Sequence, residues 1–269
     1  MTPQPASTQP RSTDSESDLG LDLRLELFAL VLGAAEAQPE PELTDHAQCV
    51  VLSPSLRGNL CQSLGQLPPR HLRAGEHLYF SGNPARSVFL VRSGLVKASA
   101  ISSEGQELTL RMYKPGDIVG ELCLCGGGRR EEAVALEESS VTEIPLASML
   151  GQLKRQPEAA LELAMLLCDR LAEAYEQIES LSWDTVLYRL VRTLLRLADD
   201  LGETGEEGTR LVPYIRQGEL AQLVGARREV VSGLLNRLRA SGHISYSARG
   251  GITVQRAALQ AFLDARARP

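Results

Sequence analysis

Ile215 to Leu238 reads IRQGELAQLVGARREVVSGLLNRL, and it decides the organisation of the chain. The spacing predicts two short amphipathic helices joined by a tight turn at Gly225. Leu220 and Leu223 give the first helix an apolar face; Val231, Leu234, Leu235 and Leu238 give the second an i, i+3, i+4, i+7 stripe. Arg227, Arg228, Glu229, Ser232 and Asn236 are thereby left pointing outward, near the start of the second helix. The major groove of DNA admits a helix; there arginine can hold guanine through two hydrogen bonds and a carboxylate can accept from the amino group of cytosine. An ordinary helical hairpin with a solvated charged face has the same pattern, so the residues that follow carry the decision.

Those residues are SGHISYSARGGITVQ. His243 to Tyr246 and Ile252 to Gln255 are β-prone runs around a turn holding Ser247, Arg249, Gly250 and Gly251. Helix, turn, helix, hairpin is the order of a winged helix-turn-helix. From Arg210 to Arg256 eight arginines stand against only Glu219 and Glu229, a formal +6 within a chain of net −6. A basic module on an acidic protein indicates a local polyanion site, whereas a general nucleic-acid coat needs positive charge throughout.

At 269 residues the chain has room for two modest domains and a tail. Its 43% hydrophobic and 23% charged residues are ordinary for a soluble globular protein. It lacks the run of about 18 apolar residues that a membrane span needs, and no basic segment followed by an apolar core marks a secretory leader. Cys49, Cys61, Cys123, Cys125 and Cys168 are odd in number and without framework spacing, which suits reduced thiols in a cytoplasm. Lysines are confined to Lys97, Lys114 and Lys154, a trait of base composition rather than chemistry.

Residues 1–45 read as a disordered or extended tail: the first twenty are mostly Ser, Thr, Pro, Gln and Asp with hardly an apolar residue, and LDLRLELFALVLGAA at 21–35 is apolar enough for a helix. Residues 46–156 form the next unit. From about Arg70 to Pro145, Ser87–Val91 and Leu95–Ile101 flank Ser93-Gly94; Leu108, Leu110 and Met112 alternate with Glu107, Thr109 and Arg111; Pro115-Gly116-Asp117 makes a corner. Short strands with turns this frequent predict an antiparallel barrel or jelly roll. At 157–184 the texture turns helical. Ala160, Ala164, Leu167, Leu171, Ala174, Ile178 and Leu181 are spaced 4, 3, 4, 3, 4, 3, a seam over about three heptads, with Arg170 among the charges outside it. One helix packed on its own domain would explain part of that seam; a second copy is the simplest partner for a strict 3.5 period. Residues 185–269 carry the winged helix-turn-helix, with an acidic loop at Asp199–Glu207 before it. The predicted fold class is α+β: an N-terminal antiparallel β-roll (double-stranded β-helix or jelly roll), a long dimerisation helix and a C-terminal winged helix-turn-helix.

This order, with AGEHLYFSGNPARSVFLVRSGLVK, KPGDIVGEL from Lys114 to Leu122 and QGELAQLVGARREVVSGLL from Gln217 to Leu235, resembles the cAMP receptor protein/FNR family of bacterial transcription regulators over about residues 50–266. The resemblance implies a cyclic-nucleotide-binding-like roll, a homodimer and a palindromic operator in double-stranded DNA. It also implies effectors that reorient the reading helices, a cytoplasmic location and RNA polymerase as a further partner. It places Arg216, Gln217, Arg227, Arg228, Glu229, Ser232, Asn236 and Arg249 at the DNA, with Arg228 and Glu229 at positions that read a G·C pair. Ala164, Leu167, Leu171, Ala174, Ile178 and Leu181 fall at the dimer interface.

The effector site departs from the pattern. Relatives that respond to cAMP carry an Arg-Ser pair for the cyclic phosphate after Gly-Glu-Leu. Here the loop is GELCLCGGGRREEAVAL: Gly120, Glu121 and Leu122 match, Glu131 and Glu132 take the places of Arg and Ser, and Arg129 and Arg130 come just before. Two like charges about 4 Å apart repel by about 1 kcal/mol in water and about 4 at an effective dielectric of 20. A glycine-rich loop can shift register, which leaves Arg130 room to swing in. The Thr-Ser pair that meets the adenine is replaced by Ala174 and Tyr175. Both halves of the nucleotide site have lost their expected groups, which argues against ordinary cAMP binding and leaves room for another small effector. Cys49 and Cys61 do not have iron–sulfur ligand spacing. Cys123-Leu124-Cys125 would put both thiols on one face of an extended strand, more simply a buried inert pair than a redox or metal site. His46, His71, His77 and His243 show no zinc spacing, so no metal site is expected.

The reading is a homodimeric, sequence-specific DNA-binding regulator. The alternative is a signalling or scaffold protein whose roll binds a ligand or partner beside a degenerate DNA module; Gly233, where many relatives carry a base-contacting arginine, speaks for it. No GxSxG elbow, phosphate-binding Walker loop, His-Glu-x-x-His or carboxylate dyad indicates an enzyme or a catalytic residue.

Overall fold

Alternation between Pro69 and Pro145 produces eight strands: β1 (Pro69–Leu72), β2 (His77–Tyr79), β3 (Ser87–Ser93), β4 (Val96–Ile101), β5 (Glu107–Tyr113), β6 (Ile118–Val119), β7 (Glu132–Ala135) and β8 (Ser139–Pro145). The computed structural model describes residues 67–246 and 251–267, so the tail, the 21–35 stretch, His46, Cys49, Cys61 and Arg249 lie outside the described residues. The strands pair antiparallel in two four-stranded sheets, β1-β8-β3-β6 and β2-β7-β4-β5. Inward-facing side chains, among them Leu72, Tyr79, Phe89, Val96, Tyr113 and Val141, fill the space between them. Gly94 turns the chain from β3 of one sheet into β4 of the other at φ 82°, and a Cβ there would clash with Ser139, so both backbone and packing demand glycine.

Two helices follow, of which the sequence reading named only the second: α1 (Leu146–Arg155) and α2 (Pro157–Trp183), with proline at the start of α2. Met149 and Leu153 of α1 join Ala159, Ala160, Leu163 and Leu166 of α2 against Val88, Leu90, Ile118 and Ile144 of the roll. The first turns of α2 are therefore anchored to their own domain. Ala160, the first seam position, belongs to this core, and Leu167 packs against it. Leu171, Ala174, Ile178 and Leu181 remain exposed, as do Leu161, Met165 and Tyr175. The apolar stripe on the free side of α2 is thus turned toward Leu161, Met165 and Tyr175 relative to a strict Ala160–Leu181 seam.

Beyond Asp184 come α3 (Val186–Leu201), β9 (Gly202–Gly205), β10 (Gly208–Leu211), α4 (Gln217–Val224), α5 (Arg228–Ala240), β11 (Ile244–Tyr246), β12 (Ile252–Val254) and α6 (Arg256–Ala267). The expected acidic loop at Asp199–Glu207 is instead the end of α3 and a β-hairpin, which extends the wing into a four-stranded sheet, β11-β12-β10-β9. β9 lies at the sheet edge with little apolar surface, so no alternation announces it. Leu190, Leu194, Leu220, Val231, Leu235, Ile252 and Leu259 bring the domain's helices and wing onto one core. Among the described residues, no helix is long and apolar enough to cross a membrane.

Candidate nucleic-acid interface and effector pocket

The reading element is built by α4 and α5. Gly225 ends α4 in the left-handed conformation (φ 61°, ψ 48°), and its N–H caps the carbonyls of the last turn. Val231, Leu235 and Leu238 bury one side of α5, so Arg227, Arg228, Glu229 and Asn236 are exposed and Ser232 is half-buried beside them. Arg216 is exposed just before α4, and Gln217 begins that helix half-buried. The structure gathers these seven residues on one domain; Arg249 lies outside the described residues. Glu229 in the first turn of α5 also suits the positive end of the helix dipole, a stabilising role that needs no DNA. A Cβ at Gly233 would meet nothing within 4 Å, so the place of an absent side chain there is open.

The expected effector site in the roll centres on a short 3-10 helix, Glu121–Cys125, entered through Gly120 at φ 83°. Here the structure corrects the extended-strand reading of the cysteine pair: Cys123 is buried and Cys125 exposed, so the thiols do not share a face. Burial pushes the Cys123 thiol up to about 11. Leu122 is exposed.

Arg129, and not Arg130, turns inward. Its guanidinium donates to the carbonyls of Gly120 (3.1 Å) and Ser87 (2.5 Å) and lies 4.2 Å from the Tyr79 ring centroid and 5.4 Å from that of Phe89. A Cβ on Gly120 would come within 2.3 Å of it, so glycine is needed for this approach. Arg130 is exposed. Glu131 is buried and accepts a hydrogen bond from the Tyr79 hydroxyl at 2.9 Å; burial and then the Glu131 charge push that phenol well above its usual range. Glu132 is half-buried, 3.7 Å from His77 Nε2 and 3.5 Å from Ser99 Oγ.

A second arginine enters from α2. Arg170 forms an ion pair with Glu121, donates to the Ile118 carbonyl at 2.9 Å and lies 5.3 Å from the Tyr113 ring centroid. Burial pulls the Arg170 guanidinium below its usual range, an effect opposed by the nearby carboxylates of Asp117 and Glu173. Tyr113 also donates to Glu121 at 3.4 Å. Two arginines and two glutamates thus share one buried cluster, in which Oε2 of Glu121 and of Glu131 have no protein partner. The carboxylates of Glu121 and Glu131 stand among the arginines of this site. Sequence reasoning left Arg170 outside the seam; the available signal was its i, i+4 relation to Ala174, which shares its side of the helix. Ala174 and Tyr175 are themselves exposed on the single chain.

Residues 69–156 match the family model described as a cyclic nucleotide-binding domain, and residues 188–262 match the Crp-like helix-turn-helix domain. The cyclic AMP receptor protein of Thermus thermophilus is 33% identical over 69% of this chain and 82% of its own length. A global nitrogen regulator of Synechococcus elongatus is 30% identical over 66% and 82%. The solved structure of a CRP/FNR-family transcriptional regulator from Thermus thermophilus superposes with a TM-score of 0.61 at 29% identity, covering 73% of this chain and 98% of that one. With roll, long helix and winged head matched in order, the chain belongs to the cAMP receptor protein/FNR family of DNA-binding transcription regulators, a family that is not enzymatic.

Proposed function

We propose that this regulator works as a homodimer on a palindromic operator and that its operator binding does not depend on cAMP. The carrying observation is a contrast in arginine use: Arg227 and Arg228 are exposed at the start of α5, while Arg129 and Arg170 are held by the protein's own carbonyls and by Glu121. The head offers free cations to a polyanion. The arginines of the roll site already donate to the protein's own carbonyls and stand beside the carboxylates of Glu121 and Glu131, which repel a phosphate.

Dimerisation through α2 is supported by its exposed apolar residues Leu161, Met165, Leu171, Tyr175 and Ile178. Such a stripe over several turns needs a partner helix, and a two-fold copy supplies it. Within α5, Arg228 and Glu229 take the role of base readers, Ser232 a weaker one, and Arg227 with the wing's Arg249 the phosphates. A cytoplasmic location and RNA polymerase as a partner rest on family membership alone, and a small effector other than cAMP is compatible with the pocket.

Leu171→Glu together with Ile178→Glu places charges in the stripe. Sedimentation should then report a folded monomer with weak DNA affinity; an unchanged dimer would contradict the interface. Calorimetry with cAMP should show no binding at micromolar concentration, and micromolar affinity would mean that an arginine leaves its internal partners for the phosphate.

A further inference from the structure

The roll and the DNA-binding domain meet along β5 and α4, around a small polar triangle. Lys97 of β4 is almost completely buried. Its Nζ lies 2.5 Å from Glu107 Oε1 and donates to Gln222 Oε1 at 2.9 Å; Gln222 Nε2 in turn donates to Glu107 Oε2 at 2.6 Å. Burial pushes the Glu107 carboxyl up, but hydrogen bonds from Lys97, Ser99 and Gln222 outweigh it and hold the group below its ordinary range. Each corner of the triangle touches the other two.

Apolar contacts surround it. Met112 of β5 packs against the core of the DNA-binding domain. A Cβ on Gly225 would lie 3.1 Å from Leu181 of α2 and 3.6 Å from Leu108 of β5. The turn between α4 and α5 therefore abuts both the long helix and the roll. Gln222 is a polar residue among buried Leu220, Ala221, Leu223 and Val224, and its amide reaches the roll while its neighbours face the core. The exposed pair Lys114–Asp200 also crosses this boundary, at 2.8 Å, but solvated pairs of that kind contribute little and hold no fixed geometry. A three-way network closed on a buried lysine is directional and costly to rearrange, even though Glu107 and Gln222 are only half-buried.

We infer that Lys97, Glu107 and Gln222 are positioning residues that fix α4 against the roll and so set the spacing between half-sites that the dimer accepts. The inference rests on the proposed homodimer at an inverted repeat. α5 follows α4 through a short turn, so the placement of α4 is the placement of the reading helix. In a dimer joined through α2, the separation of the two reading helices then depends on how firmly each α4 is held. Inserting one base pair moves a half-site by about 3.4 Å and turns it by about a tenth of a helical turn. A rigid head must compensate by deforming DNA, at least about a tenfold loss of affinity.

The test starts from operators selected out of random DNA by the wild-type protein, with their centres then lengthened or shortened by one and two base pairs. The variants are Gln222→Met, which leaves the Lys97–Glu107 pair intact, and the combined Lys97→Met, Glu107→Gln, which removes both charges together. Both should keep the half-site base preferences, yet the penalty for one inserted base pair should shrink from at least about tenfold to less than about threefold. Hydrogen exchange without DNA gives an independent reading: the amides of β5 and α4 should exchange faster in Gln222→Met, with those of β3 and α3 unchanged. A folded Gln222→Met that keeps both wild-type spacing discrimination and wild-type exchange overturns the inference. Failure of the wild-type protein to select any inverted repeat would instead strike the proposed function, while hydrogen exchange would still decide whether the triangle holds α4.

Discussion

The head and the roll use the same side chain in opposite ways. On α5, Arg227 and Arg228 are exposed, with Glu229 beside them in the first turn. At the roll site, Arg129 is buried over Tyr79, Arg170 reaches in from α2 over Tyr113 with its side chain largely covered, and both donate to backbone carbonyls. An exposed arginine is cheap to keep and available to a ligand. A buried one must be satisfied, and once the protein has satisfied it internally its removal is felt as lost stability. The difference shows that an arginine-rich sequence does not by itself locate a binding site; burial and partners do.

The comparison predicts its largest effect in the roll. Arg170→Met leaves the Glu121 carboxylate buried without its cation and should destabilise the roll by about 3–5 kcal/mol, read as a lowered first transition in denaturant or heat. An unshifted transition would mean that the pocket does not depend on this pair. Arg228→Ala should do the reverse, leaving the transition within about 0.5 kcal/mol because the side chain is exposed. Its cost should appear on DNA, as should that of Glu229→Ala: about 1–3 kcal/mol of lost discrimination at one base pair per half-site in a competition series. Base preferences that survive both substitutions would show that α5 is not the reading element.

Smaller effects sharpen the same contrast. Arg227→Ala should weaken binding to all sequences alike and lower the salt dependence by about one unit of slope, the mark of a phosphate contact. At the boundary between the two domains, the Glu107 carboxyl is held below its ordinary value of 4.5. A depressed carboxyl contributes stability above that value and loses it as pH falls through its lower folded value. Domain coupling should therefore be flat with pH from neutrality down to about 4.5 and weaken below it, and Glu107→Gln should abolish the acid dependence. The mildest test is chemical: Cys125 and Cys168 are exposed while burial raises the Cys123 thiol to about 11, so alkylation at pH 8 should label the first two and spare Cys123.

How far these features could be read in the sequence follows from what each leaves in it. The helix-turn-helix was legible because Leu220, Val231, Leu235 and Leu238 repeat with a helical period around Gly225, and the roll because Ser87–Val91 and Leu108–Met112 alternate. The β9–β10 hairpin was not legible: Gly202, Gly205 and Gly208 carry no side chains to alternate, and its acidic residues resemble a loop. The cysteine pair was misread because Gly120 in the left-handed conformation directs the chain into a 3-10 helix, which no alternation reveals. The phase of the seam on α2 was blurred because its first turns bury Ala160 and Leu163 on the chain's own roll, adding a second apolar face to the one left free. In the pocket, Glu131 was located by register alone. That Arg129 enters and Arg130 does not depends on the curvature of a loop with three consecutive glycines, Gly126 to Gly128, and Arg170 arrives from a helix about forty residues further on.

The head should read DNA without a nucleotide in the roll. Selection of bound fragments from random DNA by the purified full-length protein, run in parallel with and without cAMP, measures it directly. One inverted repeat should be enriched equally in both arms and lost with the paired Arg228→Ala, Glu229→Ala substitutions. Enrichment only in the presence of cAMP, or an inverted repeat that survives those substitutions unchanged, would contradict it.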